Sequence, residues 1–178
     1  MRFCIKLEYD GTNYVGWQRQ ESSKSIQGCV ESAAKKLLNE DIIVYGAGRT
    51  DAGVHAFGQF AHFDCKTKID DYKVRDGLNY YLKTEQISIL SSQKVSEDFH
   101  SRFSAIDRTY VYKILNRRSP PSIDMNRKWH VPISLDIKKM ILASEYLIGT
   151  HDFSTFRAAN CQSDSPVKKI DIVNINKN

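Results

Sequence analysis

Arg49 and Asp51 are the two side chains whose types and spacing point most directly to chemistry. They lie between glycines in the stretch GAGRTDAGVHA, residues 46–56. In a locally extended chain, side chains two residues apart point to the same side, so this guanidinium and carboxylate can meet as a charge-assisted pair. A guanidinium keeps a nearby carboxylate ionised, and an ionised, positioned aspartate can act as a nucleophile. Thr-Asp-Ala-Gly is also an ordinary turn sequence, so the residues alone leave a catalytic loop and a plain turn open.

The overall composition is that of a soluble globular protein with a sizeable core: 178 residues, 41% of them hydrophobic and 26% charged. No apolar run is long enough to span a membrane, and the N-terminus is too polar and short for a signal peptide, so we expect a cytoplasmic protein. The four cysteines are far apart and show no metal-ligand spacing, which predicts neither a zinc site nor a disulfide framework. We interpret them as small buried hydrophobic residues: Cys4, Cys29, Cys65 and Cys161.

Positive charge is concentrated in the second half of the chain. Residues 1–100 contain 13 Lys and Arg against 14 Asp and Glu, whereas residues 101–178 contain 13 against 7. A basic half suits a polyanionic partner such as RNA, although basic proteins without nucleic-acid partners are common.

The first half of the chain has periodic patterns that alternate between strand and helix. Apolar residues at every second position predict a strand at the N-terminus, and Ser25 is a plausible N-cap for a helix that follows. The predicted elements are strand 3–9, helix 26–38, strand 42–45, strand 59–63, helix 71–82 and strand 87–95. This is the ferredoxin-like order, which RNA-binding sheets also use.

Several side chains near these elements have two interpretations. The loop 12–20 mixes Trp17 with amide and guanidinium groups such as Gln18, which could bond to bases or simply pack. We favour packing for Trp17 and a core or surface position, without catalysis, for His62. His55 is interpreted as a supporting hydrogen-bond partner near Asp51.

The second half begins with RTYVYKIL, residues 108–115, which we interpret as a strand. Arg108, Tyr110 and Tyr112 would then share one face and form a stacking surface beside a cation, or the tyrosines would pack in a core. A helix is predicted over 136–148, with Gly149 as its stop, and a strand over 167–175.

The stretch GRTDAGVHA resembles the signature of the TruA-type tRNA pseudouridine synthases. Four further blocks resemble the same family and, with the signature, cover nearly the whole chain: YDGTNYVGWQRQ, Phe-x-x-Arg-Phe at 99–103, Arg-x-Tyr-x-Tyr at 108–112 and Gly-x-x-Asp-Phe-x-x-Phe-Arg at 149–157. Ser101 departs slightly from the pattern, where alanine is more usual. The resemblance implies an α+β pseudouridine synthase fold, with two ferredoxin-like halves, a mixed, mainly antiparallel sheet and a central catalytic cleft. We divide the chain into domains 1–104 and 105–178.

The resemblance also implies a reaction and a set of residues. The reaction is isomerisation of uridine to pseudouridine in the tRNA anticodon arm, at tRNA positions 38 to 40, without cofactor or metal. Asp51 would act at the ribose, as a nucleophile or as a base, while Arg49 holds its carboxylate and Tyr110 stacks on the target base. Arg102, Arg108, Arg157 and Gln18 are the candidate substrate-binding residues. Partners implied are tRNA and a second copy of the chain in a homodimer.

Two other function classes remain open from the residues. A non-catalytic RNA-binding protein with a ferredoxin-like sheet would explain the basic half and the tyrosines, but not the Arg-x-Asp held between glycines. An aspartate-dependent hydrolase is weaker, because the sequence offers no second acid or metal site beside Asp51. Since members of the family usually continue past the position of residue 178, we expect further strands and a helix to complete the second half.

Overall fold

A computed structural model describes residues 1–157 and 165–177 and contains both helices and strands. The chain forms two compact units, Met1–Tyr112 and Lys113–Asn178. The α+β class expected from the sequence is confirmed, while the predicted division at residue 104 and the predicted cleft stay predictions. In the described part of the chain, no helix combines the length and the apolar composition needed to cross a bilayer.

The first unit follows the βαββαβ order expected from its sequence. Its elements are β1 (Arg2–Tyr9), α1 (Ile26–Leu38), β2 (Val44–Gly46), β3 (Ala56–Asp64), α2 (Asp71–Leu82) and β4 (Ile87–Val95). The four strands form one antiparallel sheet in the order β2-β3-β1-β4. Strand β1 therefore lies inside the sheet, bonded to β3 on one side and to β4 on the other.

The core of the first unit follows from the period of each element. Phe3, Ile5, Leu7 and Tyr9 occupy alternate positions of β1 and are all buried, as expected for a strand with one covered face. Helix α1 begins at Ser25, whose hydroxyl accepts a hydrogen bond from the backbone N–H of Gly28. The buried side chains of α1 and α2 pack against this sheet: Ile26, Val30, Ala33, Ala34, Leu38, Val74, Leu78 and Leu82.

In its described residues, the second unit contains one α-helix, one short 3-10 helix and four short strands. The strands and the α-helix are β5 (Ile114–Asn116), β6 (Trp129–Val131), α3 (Ile137–Glu145), β7 (Gly149–Asp152) and β8 (Val167–Ile170). Strands β5 and β6 pair in parallel, and β7 and β8 pair antiparallel, so the described residues form two separate two-stranded sheets. The predicted helix is present but shorter, with Asp136 as its N-cap, and the predicted last strand ends at Ile170.

The strand predicted over residues 108–115 is wrong over most of its length. Only Ile114–Asn116 is a strand, and within the described residues no segment pairs with residues 108–112. A period-2 pattern produces a strand only where a neighbouring strand supplies its hydrogen-bonding partners. Tyr110 and Tyr112 are 68% and 88% exposed, so the alternative in which both pack in a core is wrong as well.

The cysteines that the structure describes fit the interpretation given from the sequence. Cys65 is buried, Cys4 and Cys29 are partly buried, and all three are free thiols. Burial raises the pKa of each of these thiols, which favours the neutral form. Cys161 lies outside the described residues.

Candidate active site

The candidate catalytic residues Arg49 and Asp51 lie in the connection between β2 and β3, residues 47–55, which we name the aspartate loop. The two strands pair antiparallel, with Gly46 opposite Ala61, so both ends of the loop are attached to neighbouring strands of one sheet. The side chains of Arg49 and Asp51 are exposed. That the two side chains pair with each other stays a prediction.

Thr50, which lies between the two candidates, is held by the first unit through both its backbone and its side chain. Its carbonyl accepts a hydrogen bond from the backbone N–H of Trp17 at 3.0 Å, and its hydroxyl lies 2.9 Å from the hydroxyl of Tyr9. Gly16 allows this approach, because its φ is +106° and a Cβ there would lie 2.4 Å from the Thr50 carbonyl oxygen. The main chain next to Asp51 is therefore fixed from two directions.

The backbone from Asp51 to Val54 forms a tight turn. The N–H of Val54 donates to the carbonyl of Asp51 at 3.2 Å, and Gly53 has a φ of +78°, which matches the third residue of a type II turn. The N–H of Gly53 also donates to the carbonyl of Tyr14 at 3.4 Å. The turn interpretation is thus confirmed, and it is compatible with a catalytic role because it uses the backbone of Asp51 and leaves its side chain exposed.

The entrance of the aspartate loop is held by β3 and by Arg108. The N–H of Ala47 donates to the carbonyl of Phe60 at 2.7 Å, and Nε2 of Gln59 donates to the carbonyl of Gly48 at 2.6 Å. Nη2 of Arg108 donates to the carbonyl of Ala47 at 3.0 Å. With the contacts of Thr50 and Gly53, these bonds fix the loop backbone along most of its length.

The loop 12–20, which supports the aspartate loop, is itself anchored by buried aromatic rings. Trp17 is 3% exposed and packs near Tyr9, with ring centroids 6.3 Å apart, so the packing interpretation of Trp17 is confirmed. The hydroxyl of Tyr14 donates to Glu85 at 2.7 Å, and burial together with this bond raises the pKa of Tyr14. The side chain of Gln18 is exposed.

A buried polar network, which the sequence analysis did not predict, links this loop to α1 and β2. Glu31 is 7% exposed, and its carboxylate accepts hydrogen bonds from Arg19, Gln27 and the backbone N–H of Val44. Gln27 also accepts from the backbone N–H of Arg19 and donates to the carbonyl of Val44. The sequence feature that could have predicted this network is the i,i+4 spacing of a Gln and a Glu beside the apolar face of α1.

His62 and Ser101 form a second buried network at the edge of the sheet. His62 is 1% exposed, which confirms a core histidine, and its Nδ1 accepts a hydrogen bond from the backbone N–H of Ser101 at 3.2 Å. The hydroxyl of Ser101 lies 2.9 Å from the same nitrogen and donates to the carbonyl of Tyr45 at 2.6 Å. Burial, with a smaller effect of the neighbouring His100, lowers the pKa of His62 to about 4.

The remaining candidates lie in different parts of the molecule. Arg102 and Tyr110 are exposed in the first unit, and the Arg102 guanidinium lies 5.7 Å from the centre of the Phe103 ring. Arg157 follows a short 3-10 helix in the second unit. His55 contacts Asp10 at 3.0 Å and the backbone N–H of Gly11 at 3.1 Å. Among the described residues, no three His, Cys, Asp or Glu side chains are grouped as metal ligands.

Comparison with known proteins identifies closely similar chains. A family model described as tRNA pseudouridine synthase matches residues 6–104. The tRNA pseudouridine synthase A of Anaplasma phagocytophilum is 49% identical over 177 residues, which are 98% of this chain and 72% of that protein. The protein of the same name from Ehrlichia canis is 53% identical over 176 residues, with the same coverage. That from Paramagnetospirillum magneticum is 46% identical over 176 residues, covering 99% of this chain and 69% of that protein.

Proposed function

Because this chain belongs to the tRNA pseudouridine synthase family, we propose that it isomerises uridine to pseudouridine in the anticodon arm of tRNA. The relatives are named tRNA pseudouridine synthase A, and their similarity extends over nearly the whole chain. The observation that carries the site assignment is the aspartate loop, whose backbone is fixed while its aspartate side chain is exposed.

Asp51 is the residue that acts at the ribose. The reaction breaks the bond between C1′ and N1 of the uridine, turns the uracil, and joins C1′ to C5. The hydrogen of C5 leaves as a proton, and N1, which has lost its bond to C1′, gains a proton. The carboxylate either attacks C1′ or takes a ribose proton, and both require a carboxylate held in place before the substrate arrives. The hydrogen bonds to Thr50 and Gly53 support such placement. Arg49 orients the carboxylate of Asp51 through a charge-assisted hydrogen bond.

Tyr110 stacks on the target base, and basic side chains contact the tRNA backbone. An exposed tyrosine offers a ring face to an unpaired base, and stacking of this kind is worth about 1–3 kcal/mol per base. A uridine in a stem must first be turned out of the helix at a cost of a few kcal/mol, which stacking and phosphate contacts offset. Arg102 and Arg157 are the proposed phosphate contacts, and Gln18 offers an amide to a base.

The setting of the reaction is part of the same proposal. The positive charge of residues 101–178 attracts the polyanionic tRNA. The second half belongs to a second ferredoxin-like domain, and two copies of the chain act as a homodimer in the cytoplasm. The isomerisation exchanges neither electrons nor phosphate, so it proceeds without a cofactor.

Release of tritium from a tRNA transcript that carries [5-³H]uridine tests the assignment directly. Joining C1′ to C5 must expel the hydrogen of C5, so we expect release by the wild-type chain and none above background by Asp51→Asn. Asp41→Asn is the matched control, because Asp41 is an exposed aspartate of the same unit that pairs with Lys35 outside the aspartate loop. We expect Asp41→Asn to react like the wild type.

Three outcomes separate the proposal from its competitors. If Asp51→Asn released tritium as fast as the wild type, the role of Asp51 would be refuted, while the assigned reaction would still stand. Binding of tRNA in a salt-dependent manner without release by the wild type would leave a non-catalytic RNA-binding protein. If the wild-type chain neither bound tRNA nor released tritium from it, tRNA would be excluded as the substrate.

A further inference from the structure

The sequence analysis predicts Arg108 as a substrate-binding residue, but in the structure its side chain forms hydrogen bonds to the protein itself. Its Nη2 donates to two backbone carbonyls, that of Ala47 at 3.0 Å and that of Arg102 at 3.0 Å. Ala47 is the first residue after β2, so this contact lies at the entrance of the aspartate loop. Hydrogen bonds from a charged donor are stronger than neutral ones, and here one donor joins two segments.

The segment on the other side of this bridge is firmly attached to the sheet. Residues 100–104 form a turn in which the N–H groups of Phe103 and Ser104 both donate to the carbonyl of His100. Ser101 is buried within this turn and bonds to His62 of β3 and to the carbonyl of Tyr45 of β2. Arg108 therefore connects the aspartate loop to a turn that is already fixed.

The two contacts act on neighbouring points of the chain, one within β2 and one just after it. Ser101 holds the carbonyl of Tyr45 and Arg108 holds that of Ala47, two residues further along the chain. Asp51 follows four residues after Ala47, and Tyr110 lies two residues after Arg108. One guanidinium thus fixes the start of both segments that bear the proposed reacting groups.

We propose that Arg108 is a positioning residue, which aligns the aspartate loop through the Ala47 carbonyl and does not act by binding phosphate. This inference rests on the proposed function. A phosphate contact would contribute to tRNA affinity and to its salt dependence. A bridge between backbone carbonyls would instead contribute to the rate at which bound tRNA reacts. The two roles therefore separate in measurements of binding and of turnover.

The test combines single-turnover tritium release at saturating enzyme with tRNA binding over a series of salt concentrations. For Arg108→Ala we expect a rate that is lower by about 10- to 100-fold, because small misplacements of reacting groups carry losses of this size. We expect the dissociation constant and its salt dependence to match the wild type. A phosphate contact would instead weaken binding and lower the salt slope by about one counterion.

Two further variants distinguish alignment from charge. Arg108→Lys keeps the charge but lacks the planar fork of the guanidinium, so we expect the lower rate to remain. Ser101→Ala carries no change of charge and loosens the same turn from its other side, so we expect a smaller loss of rate with unchanged binding.

Arg117→Ala is the matched control for removal of a surface arginine. The guanidinium of Arg117 also donates to two backbone carbonyls, those of Ser119 and Pro120, within a loop of the second unit. We expect its single-turnover rate to equal that of the wild type. Rates are expressed per folded molecule, measured by circular dichroism at the assay temperature, so that a purely structural loss is removed from the comparison.

The outcomes separate failure of this inference from failure of the proposed function. An inactive wild type would overturn the proposed function before any variant is compared. With an active wild type, a weaker affinity and a lower salt slope for Arg108→Ala, or full recovery of the rate by Arg108→Lys, would show that Arg108 acts as a charge. A wild-type rate for Arg108→Ala would overturn the inference as well.

Discussion

The two units of the chain differ sharply in how they bury apolar side chains. In Met1–Tyr112, β1 and β3 bury Phe3, Leu7 and Phe63 completely beneath two helices. Among the described residues of Lys113–Asn178, no hydrophobic side chain is buried, and Leu142 of α3 is 60% exposed. The first unit is therefore organised around its own hydrophobic core, and the described part of the second is not.

This difference explains where a fixed catalytic loop can be built. Most partners of the aspartate loop, among them Tyr9, Trp17 and Phe60, belong to the sheet or to the loop 12–20. A loop is positioned accurately when the elements that hold it are rigid. By contrast, two-stranded sheets such as β5-β6 and β7-β8 are marginally stable by themselves, so the second unit offers weaker support.

Truncating one leucine in each unit gives the largest expected contrast. We expect Leu7→Ala to lower the free energy of unfolding by about 3–5 kcal/mol, because it removes a fully buried side chain from a packed core. Leu142→Ala should change it by less than about 0.5 kcal/mol, since this side chain is mostly exposed. Urea unfolding followed by far-ultraviolet circular dichroism measures both values. Equal losses would show that Leu142 is buried in solution and would remove the contrast.

Adding a methyl group at one glycine of each unit gives the next contrast. Gly16 and Gly149 have similar positive φ values, 106° and 110°, so an alanine at either position is strained by a comparable amount. A Cβ at Gly16 would also lie 2.4 Å from the backbone oxygen of Thr50, whereas at Gly149 the nearest atom is 3.2 Å away in the side chain of His151. We expect Gly16→Ala to cost more than about 2 kcal/mol and Gly149→Ala about 1 kcal/mol.

Tritium release adds a second readout to the glycine pair. Thr50 precedes Asp51, so displacement of its carbonyl moves the proposed catalytic residue, and Gly16→Ala should lose release even where it remains folded. Gly149→Ala should retain it. A folded, fully active Gly16→Ala would show that the position of the Thr50 backbone is not required for the reaction.

Sequence patterns predicted the first unit well because its signals are local. The apolar spacing over 71–82 and 87–95 matches α2 and β4, and the Ser25 N-cap marks the start of α1. Each of these elements is defined by its own period or cap and packs on neighbours nearby in the same unit. The α+β class follows from the same patterns.

The prediction failed where a structure depends on partners distant in the chain. The strand expected at 108–112 lacks a pairing strand among the described residues, and its tyrosines are exposed. Likewise, the residue types of Arg49 and Asp51 marked the aspartate loop, but nothing in the sequence indicated that Arg108 would bond to Ala47 or that Ser101 would be buried against His62. A contact between a side chain and a carbonyl distant in the chain leaves no local sequence pattern, so it cannot be predicted from the sequence in this way.

The last expected effect concerns pH and distinguishes burial of His62 from its contact with the Ser101 hydroxyl. His62 has a pKa of about 4 in the folded chain, below its ordinary value of 6.5, chiefly because of burial. The unfolded chain therefore binds more protons, and stability should fall as the pH decreases from about 6.5 towards 4. Asp64, whose pKa is held below its ordinary value by the Arg2 hydrogen bond, loses its contribution only at lower pH.

Two variants measure this effect by urea unfolding at a series of pH values. His62→Gln removes the titrating group and should make stability depend less on pH between 6.5 and 4. Ser101→Ala keeps His62 buried, so it should preserve the wild-type dependence while lowering stability by about 1–3 kcal/mol at every pH, since the Tyr45 carbonyl loses its hydroxyl partner. If Ser101→Ala instead removed the pH dependence, the Ser101 hydroxyl rather than burial would be what keeps His62 neutral, because the backbone N–H that donates to Nδ1 of His62 is still present in this variant.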